Sequence, residues 1–183
     1  MKILVGYFSE TGNTKKMAEA IGEEAKAGGN EVLVATVGEI KADALGGYDV
    51  VFLGSTCHSA DIAAPVRNLL DGIPAGSLCK VAGFVTHSTT MPDAGDSQKK
   101  LYEQWAGKCP GTFSAACEEK GIGFLGYFHC QGAPSPQVEA FIRSTIVTDE
   151  AQWNAFIEDA RKHPTTEDIE AARAFAREVL AKA

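Results

Sequence analysis

The chain has 183 residues, 45% of them hydrophobic and 22% charged, with a formal net charge of −7, which predicts one globular domain over residues 1–183. The acidic balance excludes the basic footprint of nonspecific nucleic-acid binding, and no apolar run approaches the roughly 20 residues of a membrane span. Five cysteines, an odd number with no C-x-x-C spacing, argue against a disulfide framework and against structural zinc.

The first apolar segment, ILVGYF, follows a single lysine, is short for a secretory core and lacks a small-residue cleavage pattern. It reads as a strand, Lys2–Phe8, of a cytoplasmic protein. Gly12–Ala27 reads as a helix, with Met17, Ile21 and Ala25 on one face and Gly28-Gly29 as its stop. Glu31–Val37 is the second strand. Asp49–Gly54, nearly all apolar, is the third, as expected of a strand covered on both faces. Ile62–Leu70 is helical, with Pro65 near its start, and Lys80–Thr86 is the fourth strand. Ser97–Lys120 is helical with a break at Pro110-Gly111, and Ile122–Cys130 is the fifth strand. Two helices close the chain. One carries Trp153, Phe156, Ile157 and Ala160 behind Thr148-Asp149; the other carries Ile169, Ala172, Ala176, Val179 and Leu180 behind Thr165, with Asp168 as a capping-box acid. Apolar strands alternating with helices predict an α/β fold, a doubly wound five-stranded parallel sheet with helices on both faces and an extra C-terminal helix. Ligands of such sheets lie beyond the carboxyl ends of the strands, so the loops after strands one, three and four carry the function.

The first of these loops is Ser9-Glu10-Thr11-Gly12-Asn13-Thr14. A helix N-terminus offers free amides and a partial positive charge. The hydroxyls of Ser9, Thr11 and Thr14 add donors, and Gly12 lets backbone approach closely. This suits a single phosphate; a well-capped helix start is the plainer reading. The loop is not a Walker A motif, because Asn13 stands where a lysine would follow Gly12, and there is no G-x-G-x-x-G. A C-x5-R phosphatase loop from Cys57 fails at Ala63.

S-E-T-G-N-T behind an N-terminal strand resembles the phosphate loop of the flavodoxin family. The likeness spans the five-strand pattern and the final helix, and implies a flavodoxin-like fold with noncovalently bound FMN. By that resemblance Ser55, Thr56, Cys57 and His58, after strand three, wall one side of the flavin ring. Thr86, His87, Ser88 and Thr89, after strand four, wall the other. The family often places a tryptophan and a flexing glycine in the first wall and a tyrosine in the second. This chain has Cys57-His58 with no glycine after Gly54, and its Tyr102 lies too far along to serve. Each histidine either meets the ring or is a polar loop residue bonded to backbone. Cys57 reads first as a small contact residue and second as a redox partner activated by His58. Cys57, His58, His129 and Cys130 lack ligand spacing, so no metal site is read.

The resemblance implies an electron carrier between redox partner proteins, with Glu10, Asp61, Asp93 and Asp96 suited to basic docking surfaces. The alternative is an FMN-dependent NAD(P)H:quinone-type oxidoreductase. The carrier is favoured because no second nucleotide motif stands beside the flavin loops. A scaffold that has lost its flavin is disfavoured by the intact first loop.

Overall fold

A computed structural model describes residues Met1–Ala183. Five strands run parallel: β1 (Lys2–Tyr7), β2 (Glu31–Thr36), β3 (Val50–His58), β5 (Lys80–His87) and β6 (Gly123–Gln131). Their spatial order is β2-β1-β3-β5-β6, and the short β4 (Asp61–Ile62) folds back antiparallel on the end of β3. The winding direction therefore reverses between β1 and β3, the place where such sheets open a crevice.

The period of two along each strand sorts the core into two layers. Leu4, Val51, Leu53, Val81 and Val85 face one side. There they meet Val66 and Leu70 of α2 (Ala64–Asp71) and Phe113 and Cys117 of α4 (Cys109–Lys120). Ile3, Val5, Phe52, Ala82 and Phe84 face the other side. They cover Met17 and Ile21 of α1 (Asn13–Ala27) and Ala172 and Val179 of α7 (Thr166–Ala181). Fully burying one such large apolar side chain is worth about 1.5–3 kcal/mol, so both helical layers are held by area rather than by polar links. Gly54 has a specific reason to lack a side chain: its register partner Phe84 lays its ring over it, and a Cβ there would lie 2.1 Å from Phe84 Cζ.

The five parallel strands and the capping box of Thr165 and Asp168 agree with the sequence reading. Three boundaries do not. The third strand continues past Gly54 to His58, because Cys57 pairs with Ile62 and His58 with Asp61 in a hairpin. Its two-residue turn, Ser59 (φ 50°) and Ala60 (φ 69°), takes left-handed backbone without a glycine or asparagine to announce it. The following helix accordingly starts at Ala64 rather than at residue 62. The stretch Ser97–Lys120 breaks between α3 (Asp96–Trp105) and α4, at Ala106–Lys108, not at Pro110-Gly111. Pro110 sits in the first turn of α4, where an amide would have no helical partner in any case. A further helix, α5 (Pro136–Thr145), was not expected. With α6 (Glu150–Ala160) it forms a pair outside both layers, closed on its own small core of Ile142, Trp153 and Ile157.

Candidate functional site

The carboxyl ends of β1, β3, β5 and β6 converge with α3, α5 and α6 around one cavity of about 1110 Å³. That is at or above the roughly 300–1,000 Å³ usual for small-molecule sites. Ten of the fourteen residues singled out in the sequence line it: Glu10, Thr11, Asn13, Thr56, Cys57, His58, Thr86, His87, Ser88 and Thr89. The other four, Ser9, Gly12, Thr14 and Ser55, do not line it.

Those four shape it. Ser9 Oγ accepts from the Gly12 amide at 3.1 Å, closing the loop on itself. Gly12 takes φ 89°, a left-handed turn into α1 that a side chain would strain. The Thr14 and Thr86 hydroxyls, both buried, share a hydrogen bond of 2.8 Å that ties the start of α1 to the end of β5. Ser55 Oγ donates to Thr56 O at 2.7 Å and accepts from the Ala63 amide at 2.8 Å, pinning the far side of the hairpin.

The start of α1 is left open by the chain. It has no side-chain cap and no acid in its first turn. The first amide with a helical partner is that of Lys16, on Gly12 O at 3.1 Å, so the amides of Asn13, Thr14 and Lys15 are the unpaired donors of a helix start. Asn13 spends its side-chain amide elsewhere, donating to Thr11 Oγ1 (3.0 Å) and to Ala133 O (2.8 Å), which fastens the loop to the segment after β6. Uncapped amides flanked by the Thr11 hydroxyl suit an anion with several oxygens.

The ring of the cavity wall is polar on the sheet side. His58 Nε2 and Glu10 Oε2 meet at 2.7 Å on the exposed rim. His87 is buried, its Nδ1 3.1 Å from Thr89 O and its Nε2 2.8 Å from His129 Nδ1. The Thr89 hydroxyl also meets His87 Nδ1, at 2.9 Å, so both ring nitrogens are engaged by the chain. Burial first, and His129 second, push the His87 imidazole down to about 3. Burial also lowers His129, against the pull of Asp93. Tyr102, set aside in the sequence as too distant, stacks on His129 with centroids 4.7 Å apart. It buttresses the histidine pair from behind the cavity wall. Beyond it the Tyr127 hydroxyl is buried without a partner, and burial raises its phenol.

The helical side is apolar. Leu101 and Trp105 of α3, Phe141 of α5, Ile146, and Phe156 of α6 line it. Of these the sequence named only Phe156, as part of a helical stripe and not of the site. The signal was present for some: Val138, Phe141 and Ile142 repeat at i, i+3, i+4, the period of one helical face. Phe141 remains 43% exposed because it borders the cavity, edge-on to Trp105 at 5.4 Å.

A family model described as a flavodoxin domain matches residues 4–177. Among curated proteins, one from Brucella anthropi named NAD(P)H dehydrogenase (quinone) is 32% identical over 129 residues, 57% of this chain and 65% of that protein. One of the same name from Brucella melitensis is 29% identical over 148 residues, 66% of this chain and 74% of that protein. The chain thus spans just under two thirds of the first of these relatives. Among solved structures, flavodoxin 1 from Bacillus cereus overlays with a TM-score of 0.67 at 17% identity, covering 100% of this chain and 99% of that one. A flavodoxin from the domain Archaea overlays with a TM-score of 0.63 at 19% identity, covering 100% and 98%. No helix is long and apolar enough to cross a membrane.

Proposed function

The chain belongs to the flavodoxin family and its cofactor is FMN; from that premise we propose that it transfers electrons between redox partner proteins. Flavodoxins are themselves the reference case for a ligand at the β1/β3 switch point of this sheet order. The observation that carries the reading is the uncapped start of α1, set at that switch point beside Thr11. The free amides and the Thr11 hydroxyl hold the phosphate. Thr56, Cys57 and His58 on one side, and Thr86, His87, Ser88 and Thr89 on the other, bound the ring. FMN, when bound, supplies the one- and two-electron chemistry. The chain sets access and environment. His87, held neutral by burial, keeps a positive charge off its side of the cavity. The exposed Asp93, and Asp96 at the first position of α3, suit a basic docking partner.

A second reading, NAD(P)H-dependent reduction of a quinone, is favoured by the apolar half of the cavity. Leu101, Trp105, Phe141 and Phe156 give room and surface for a second planar, largely apolar molecule beside the flavin. The two Brucella proteins bear the name of that activity.

One titration separates the two. FMN added to the purified chain is expected to bind with shifted flavin bands, and Thr11→Val to weaken binding about tenfold, the loss of roughly 1.4 kcal/mol for a charge-assisted hydrogen bond. NADPH added anaerobically to the complex is expected to leave the bands unbleached. Rapid bleaching with no partner protein present would replace the carrier with the reductase, and unshifted bands at all FMN concentrations would remove both.

A further inference from the structure

The wall of the cavity holds a pair of thiols whose chemistry the flavin site leaves unassigned. Cys57, near the end of β3, and Cys109, the first residue of α4, place their sulfurs 3.8 Å apart. Both are free thiols. Cys57 lines the cavity and is partly exposed; Cys109 is sealed behind it with no accessible surface. We propose that Cys57 and Cys109 form a hydroperoxide-reactive dithiol, in which Cys57 meets the oxidant and Cys109 resolves it to a disulfide.

The backbone holds the pair in place. The strained turn Ser59-Ala60 returns the chain just past Cys57, and Ala60 O accepts from the Lys108 amide at 3.2 Å and faces Cys109 Sγ at 3.9 Å. The end of β3 is thereby strapped to the start of α4. A disulfide needs its sulfurs about 2.05 Å apart. At 3.8 Å the sulfurs are already in van der Waals contact. The polarity of the pair is set as well. The neutral Cys57 thiol donates to Trp105 O at 3.3 Å; the Cys109 thiol donates to Cys57 Sγ, which favours the Cys57 thiolate and lowers Cys57 from its ordinary value. The same hydrogen bond, with burial, pushes Cys109 up. A lowered, accessible thiol next to a protected second thiol is the arrangement of peroxide-sensing cysteines. The other cysteines do not share it: Cys79, Cys117 and Cys130 are all buried, and burial raises each.

The chemistry balances with hydrogen peroxide as the oxidant. The Cys57 thiolate attacks one peroxide oxygen, the O–O bond breaks, and hydroxide leaves to take up the proton Cys57 gave up. The first water and a Cys57 sulfenic acid result. Cys109 sulfur then attacks the sulfenic sulfur; the S–S bond forms, the S–O bond breaks, and the departing hydroxide carries off the Cys109 proton as the second water. Two thiols lose two electrons and two protons, and one peroxide becomes two waters. An external thiol reverses the step by attacking Cys57, the sulfur open to the cavity.

The test uses the full chain, reduced and desalted, with and without FMN. A small excess of hydrogen peroxide is added, dimedone is included to trap sulfenic acid, and the protein is alkylated and mapped by mass spectrometry without reduction. Alkylatable thiols are expected to fall from five to three. The Cys57 and Cys109 peptides should appear joined, dithiothreitol should separate them, and dimedone should label the wild type little. In Cys109→Ser, dimedone should label Cys57 and the cross-link should be lost; if that variant does not fold, the wild-type map decides alone. The pair should form in the FMN-free chain, so failure to bind FMN leaves this result standing. Cys57 left unmodified at peroxide doses that oxidise glutathione, dimedone-labelled Cys57 in the wild type, or a cross-link to any other cysteine overturns the proposal.

Discussion

His87 shows what a single residue's surroundings decide. Its imidazole is buried, its Nδ1 faces the carbonyl and the hydroxyl of Thr89, and its other nitrogen faces His129, with His163 adding a further unfavourable charge. The folded chain therefore holds it neutral down to about pH 3, whereas an unfolded histidine titrates near 6.5. Between those values the unfolded state carries the extra proton, so stability falls as pH falls. The slope is about 1.4 kcal/mol per pH unit, and above roughly pH 6.5 the contribution is constant. Urea unfolding at several pH values between 7 and 4 is expected to show the wild type losing stability more steeply than His87→Gln, by about that amount per unit. Carboxylates act equally on both proteins, so the difference isolates His87. Equal slopes would mean that the imidazole protonates in the folded state. The sequence placed His58 and His87 in the loops after strands three and four, at the carboxyl end of the sheet, and the structure makes each the last residue of its strand. The sequence did not tell the exposed His58, paired to Glu10, from the buried His87, because that distinction rests on His129 and Tyr102, which only the tertiary fold brings near.

At the scale of elements, the strands were legible and their decorations were not. Apolar runs such as DVVFLG signal a strand buried on both faces, and they reappear as β1, β3 and β5. The hairpin at Ser59-Ala60 carries no turn residue that prefers positive φ, so nothing local announced that β3 continues to His58. It is held instead by pairing with β4 and by the strap to α4. Gly54 is the opposite case: a glycine in the interior of a strand pattern hints at a close approach, and the ring of Phe84 is what approaches. Gly54→Ala is expected to destabilise the chain by about 1–3 kcal/mol, the usual cost of overpacking, because an added methyl would lie 2.1 Å from Phe84 Cζ in a region with no solvent to yield into. Phe84→Leu should recover part of that loss when combined with Gly54→Ala, although alone it removes core volume. Independent, additive losses in the double variant, measured by urea midpoint, would show that the two sites do not share the space.

For the whole molecule, the question is how the α5–α6 pair is attached. The two sheet layers close on large cores, one of 18 and one of 16 buried residues, while the pair closes on three, Ile142, Trp153 and Ile157. Between the pair and the sheet lies the cavity, bridged on one side by the edge-on contact of Phe141 with Trp105. A unit with so little shared apolar area opens at lower free energy than the sheet it covers. This attachment could not be read from the chain, because an amphipathic period says that a face is buried and not against what; Phe141 meets a residue of a different helix. The expected behaviour is specific. In hydrogen exchange, amides of α5 and α6 should exchange faster than those of β3 and β5 in the wild type. Phe141→Ala removes an aromatic pair worth about 1 kcal/mol, so exchange in α5 should rise roughly fivefold while exchange in β3 and β5 stays unchanged. The same variant should widen access to the cavity without altering the start of α1, so its FMN affinity should hold if the phosphate carries the binding. If α5 and β5 instead exchange at one rate and slow or quicken together, the helix pair opens only with the whole domain, and access to the cavity is set by its rigid mouth.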